Sequence, residues 1–118
     1  MGQMGKTELI KGSTEMILLS LLQDKAMYGY ELAKTIERMS EGFLRFREGT
    51  LYPALKKLEL QGLVESYWQD SAEGPRRKYY AITITGKKAL AEMRNEWGIF
   101  QRIIHRITGV PNGESQGV

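Results

Sequence analysis

Apolar side chains recur along this chain in helical, strand-like and heptad rhythms, and each rhythm predicts a different element. From Thr7 to Gln23, Leu9, Ile10, Met16, Ile17, Leu18, Leu21 and Leu22 return with the spacing of one helical face. Gly12 interrupts that face, so the pattern predicts a loose lead-in and a firm helix from Ser13 or Thr14, either a plausible cap. A second helix is expected from about Gly29 to Ser40, with Leu32, Ala33 and Ile36 on one side and Glu41-Gly42 at its end. Residues 42–49 then form a loop carrying Phe43, Arg45, Phe46 and Arg47.

A third helix is predicted to start at Thr50, whose side chain can cap the first turn. Pro53 falls near that start, where a missing N–H costs little. Leu51, Leu55 and Leu58 make the buried stripe, and Gly62 terminates the helix. The outward face then holds Thr50, Tyr52, Lys56 and Lys57. Leu63 to Gln69 and Arg77 to Ile84 are rich in β-branched and aromatic residues and flank the turn-forming stretch Asp70 to Pro75, so they predict a hairpin. Thr85 caps a final helix that reaches about Thr108, where Gly109 to Gly113 breaks it.

The expected fold is mainly α with a small β-hairpin: a winged helix-turn-helix over residues 8–84, a C-terminal dimerisation helix over 85–108 and a loose tail over 109–118. Leu90, Met93, Trp97, Phe100, Ile104 and Ile107 alternate spacings of three and four, the a/d seam of a coiled coil. A stripe running along ~27 Å of helix is economically buried against a second copy of itself, which predicts a two-fold homodimer. Trp97, in mid-seam, could face its symmetry mate and sandwich a flat aromatic ligand, or simply fill the interface.

Composition narrows the function. The chain of 118 residues has 42% hydrophobic and 26% charged residues, the balance of one ordinary folded domain. Cysteine is absent and histidine occurs once, which excludes thiol chemistry, disulfides, cysteine-based zinc sites and a histidine-rich metal site within one chain. No nucleophile–base pair assembles around His105, so an enzyme is not expected, and neither is a cofactor or metal. The run from Met16 to Leu22 is too short to span a bilayer and no export signal opens the chain, so a cytoplasmic protein without membrane contact is expected. Gly5-Lys6-Thr7 lacks the first glycine of a phosphate-binding loop, and Lys6 stands where a myristoylation signal needs Ser or Thr.

Charge is unevenly spread. Residues 1–75 carry nine basic and eleven acidic side chains, whereas residues 76–118 carry eight basic and three acidic. Arg76-Arg77-Lys78 sets three cations in a row beside the hairpin turn, where they can neutralise phosphates. With Tyr52 and Lys56 on the third helix and the helix start at Thr50, they make double-stranded DNA the expected partner. The competing expectation is a winged-helix module that docks protein through the loop from Phe43 to Arg47 and the wing.

Four segments carry a resemblance: Tyr28-Gly29-Tyr30-Glu31-Leu32, Gly49-Thr50-Leu51-Tyr52-Pro53-Ala54-Leu55, Leu58-Glu59-Leu60-Gln61-Gly62-Leu63 and Arg76-Arg77-Lys78-Tyr79-Tyr80-Ala81-Ile82-Thr83. In this order they resemble the PadR family of bacterial transcriptional regulators, and the single last helix is similar to its short subfamily, including drug-responsive lactococcal members. The resemblance implies a dimeric winged-helix repressor that binds an operator and, in some members, is released by an aromatic or drug-like compound. Carried over, it implies DNA contacts at Thr50, Tyr52, Lys56, Arg76, Arg77 and Lys78, with Tyr28 as a backbone contact. It implies a ligand platform at Trp97, walled by Leu9, Met16 and Ser20 of the first helix. Gln101 stands where the lactococcal drug-responsive relative has an acidic residue, which implies that cationic ligands are disfavoured here.

Overall fold

The computed structural model describes the backbone of residues 2–111 and the side chains of residues 12–111. Seven elements follow one another: α1 (Gly2–Leu22), β1 (Met27–Tyr28), α2 (Gly29–Met39), α3 (Glu48–Leu60), β2 (Val64–Gln69), β3 (Arg77–Ile82) and α4 (Ile84–Thr108). The helical order and the hairpin agree with the apolar pattern.

Several boundaries do not. Gly12 neither breaks α1 nor yields a cap at Ser13 or Thr14; the helix runs through all three. A mid-helix glycine costs only about 1 kcal/mol relative to alanine, which helical residues on both sides offset. The start of α3 is Glu48, with Arg47 rather than Thr50 in the capping position. Glu48 suits the positive end of the helix dipole. Pro53 therefore lies inside α3, where its ring deletes one backbone hydrogen bond, to the Gly49 carbonyl. The stop of α3 is as expected: Gly62 adopts φ 77°, its N–H donates to the Glu59 carbonyl at 3.0 Å, and the Leu63 N–H donates to the Leu58 carbonyl at 2.9 Å.

The two hairpin strands pair antiparallel, with Ser66 opposite Tyr80 and Trp68 opposite Lys78. A third strand, β1, pairs Met27 with Tyr80 and Tyr28 with Tyr79, giving the order β1-β3-β2. The second hairpin strand ends at Ile82 rather than Ile84, and Thr83, not Thr85, caps α4. The Thr83 hydroxyl accepts from the Gly86 N–H at 2.9 Å and donates to the Gly62 carbonyl at 2.7 Å. Gly86 is needed here because a Cβ would strike the Leu63 carbonyl oxygen.

Leu18, Leu19, Leu22, Leu32, Leu55, Leu58 and Leu90 form the fully enclosed centre of the core. Each drives folding by removing apolar surface from water. The heptad seam is consequently divided. Leu90 is 2% exposed and the half-buried Met93 packs against the same cluster, so the seam's first member is enclosed and its second partly covered by their own chain. Beyond them Phe100 is 51% and Ile107 75% exposed.

Candidate nucleic-acid interface

Three structural decisions build a groove between α3 and the wing. The leucine stripe of α3 turns Tyr52 and Lys56 outward. The alternation of β2 and β3 aims Trp68, Lys78 and Tyr80 at that helix, and β1 brings Tyr28 to the same place. The resulting groove encloses ≈ 570 Å³ and, among the described residues, is lined by four cations, Lys56, Arg76, Arg77 and Lys78, five tyrosine and tryptophan rings and one carboxylate, Glu59.

The cations lie on aromatic faces. The Arg76 guanidinium is 5.2 Å from the Trp68 ring centroid, that of Arg77 is 4.6 Å from Tyr28, and the Lys78 ammonium is 5.8 Å from Tyr80. Such contacts orient a cation without consuming its charge, because the ring offers only a quadrupole. Tyr28 also meets Tyr79 edge-on at 5.4 Å. The hydroxyl of Ser66 donates to Glu59 Oε2 at 2.6 Å and ties α3 to the wing. Burial, followed by the electrostatic effects of Glu59 and Tyr52, pushes the Tyr80 phenol above its ordinary pKa. At neutral pH Tyr80 is therefore a proton-bearing hydroxyl on the groove wall.

Of the residues singled out for DNA, Tyr28, Tyr52, Lys56, Arg76, Arg77 and Lys78 meet in this groove. Thr50 and Lys57 do not line it. At about 100° per residue they stand roughly 140–160° around α3 from Tyr52. Lys57 turns to α1, where its ammonium is 2.9 Å from Glu15 Oε2. Trp68 and Glu59 join the groove although the sequence did not single them out. The alternation of β2 could have located Trp68, but nothing local distinguishes Glu59 from a surface carboxylate. Close packing of α2 against α3 is fixed by Gly29, where any Cβ would enter the Tyr52 ring.

A second groove, apolar and ≈ 440 Å³, opens between α1, α2 and α4. Met16, Ser20, Trp97 and Gln101 line it together, as the proposed ligand site requires, whereas the Leu9 side chain lies outside the described residues. Ile36, Met39 and Leu44 complete the lining from α2 and the loop after it. Trp97 leans on Phe100 with ring centroids 5.7 Å apart. His105 is engaged at the end of α4, its Nδ1 2.7 Å from the Val110 carbonyl oxygen. Among the described residues no group of three or more acidic or histidine side chains could hold a metal, and no helix is long and apolar enough to cross a membrane.

A three-helix head, a hairpin wing and a cation-lined groove between them define a winged-helix protein. Residues 18–92 match the transcriptional regulator PadR-like family. The chain belongs to that family of transcriptional regulators, whose members are not enzymes. It is similar in structure to a transcriptional regulator from Clostridium thermocellum, with TM-score 0.79 and 34% identity, covering 86% of this chain and 98% of that one. A PadR family transcription regulator from Clostridium difficile superposes with TM-score 0.72 at 35% identity, covering 80% of this chain and 97% of that one. In sequence the chain is 33% identical over 87 residues to the transcriptional regulator Rv3488 of Mycobacterium tuberculosis, covering 74% of this chain and 78% of the relative.

Proposed function

We propose that this regulator is a repressor that binds an inverted-repeat operator as a homodimer and is released by a planar aromatic ligand. The observation that carries the DNA reading is the groove in which four cations, three of them seated on rings, flank the outward face of α3. In this reading Tyr52 and Lys56 meet base edges or phosphates from the major groove, and Arg76, Arg77 and Lys78 neutralise backbone phosphates. The exposed distal half of α4 supports pairing with a second copy, which sets two α3 helices about 34–36 Å apart, one turn of duplex. The second groove supports the ligand reading, as does the resemblance to the lactococcal multidrug-responsive repressor: Trp97 offers a stacking face within an apolar lining. Arg94 and Gln101 line that groove and no carboxylate does among the described residues, which favours neutral or anionic ligands over cationic drugs.

The alternative, a protein-docking module, is the weaker reading. Phe46 of its proposed docking loop is buried in the core, and Arg45 is held by the Gly42 carbonyl and Glu37.

A salt titration on duplex DNA tests the main reading. Log affinity is expected to fall steeply and linearly with log salt, with an inverted repeat preferred over random sequence. Replacing Arg76, Arg77 and Lys78 together by alanine should flatten the slope by about 3 per subunit, at about 0.9 per phosphate contact. Equal, weak binding to every duplex with an unchanged slope in the triple variant would exclude it.

A further inference from the structure

Among the described residues Glu59 is the one carboxylate lining the groove that holds the four cations and five rings. It follows Lys56 by one turn and Tyr52 by two on the same face of α3, so it sits among the side chains that would meet a duplex. It is half-buried and tethered by the Ser66 hydroxyl at 2.6 Å, so its charge cannot swing away as a surface glutamate's would. Its influence reaches Tyr80, whose phenol it helps keep protonated.

We propose that Glu59, held by Ser66, is a specificity-determining residue: a fixed negative charge on the groove that repels phosphates from its floor while the rim cations attract them. The inference rests on the DNA-binding reading above. A duplex docked with base edges toward α3 keeps its phosphates on the rim, near Arg76, Arg77 and Lys78, and away from Glu59. A duplex docked in any other register brings a phosphate toward the carboxylate, and like charges at close range in a partly desolvated groove repel. The charge therefore weakens misregistered complexes more than the registered one.

The test compares two duplexes, one of random sequence and one selected from a randomised library with the wild-type chain. Glu59→Gln keeps the shape and can still accept from Ser66, so its melting temperature should stay at the wild-type value. The variant is expected to bind the random duplex about tenfold tighter at low salt, the size of a screened repulsion at this range, while affinity for the selected duplex changes little. The ratio of the two affinities then falls about tenfold. Ser66→Ala, which leaves the charge but lets it turn out of the groove, should tighten random binding by less than Glu59→Gln does and lower the same ratio by correspondingly less. An unchanged ratio in Glu59→Gln overturns the proposal, as does a loss confined to the selected duplex, which would make Glu59 a direct base contact. A wild-type ratio retained by Ser66→Ala removes the tether from it. If the wild-type chain enriches no sequence and binds no duplex, the operator-binding reading itself has failed, a result distinct from any of these.

Discussion

At Leu90 and Met93, α4 packs on its own domain, whereas beyond Trp97 it exposes Ile99, Phe100, Ile103 and Ile107 to solvent. Leu90 and Ile107 stand at opposite ends of one a/d seam, yet the first is 2% and the second 75% exposed. The difference lies in the core: Leu90 and Met93 pack against the buried leucine cluster, and the apolar side chains beyond Trp97 do not join it. Heptad spacing reports that a stripe must be buried; the neighbouring elements decide whether the same chain does it. One helix thus serves as a rivet at its root and as an open strip at its end, and Trp97 lies at the changeover.

Substitutions along α4 sharpen that contrast. Leu90→Ala should cost about 2–5 kcal/mol in urea unfolding, the usual loss for an enclosed leucine, and equally at every protein concentration. A loss that grows on dilution would place Leu90 between subunits instead. Phe100→Glu should leave the protomer folded but remove about 2 kcal/mol or more of association, so that sedimentation at micromolar concentration shows a single chain. Thr83→Val, which deletes the hydroxyl at the root, should lower stability by about 1 kcal/mol without changing association. Ile107→Ser should shift protomer stability by less than about 0.5 kcal/mol and be detectable only in how melting depends on concentration. Planar aromatics should quench the tryptophan fluorescence of the wild-type chain and not that of Trp97→Ala, which should still associate; an aromatic panel without effect on the wild type would leave the changeover point without a ligand role.

Most of the architecture could be read from the chain because it depends on local chemistry. The leucine stripe of α3, the left-handed Gly62 and the turn from Asp70 to Pro75 each act within a few residues. What was illegible depends on partners distant in sequence. β1 is two residues long, too short for any alternation, and exists because β3 offers an edge to Met27 and Tyr28. Ile36, Met39 and Leu44 join the apolar groove only because the end of α2 comes to rest beside α1 and α4. Lys57 resembles Lys56 in sequence, but one step around the helix sends it to Glu15 instead of the groove. At Thr83 and Thr85 two capping residues compete, and the carbonyl of Gly62 decides between them.

That last choice has a mechanical consequence. A single hydroxyl at Thr83 knots the first turn of α4 to the tail of α3, and the Thr83 N–H adds a bond to the Leu63 carbonyl at 3.0 Å. There is no slack linker at this joint. A sideways push of 3 Å at the tip of a shaft ~37 Å long rotates its base by about 5°. With the base pinned to α3, α4 has no hinge at this joint about which it could swing alone.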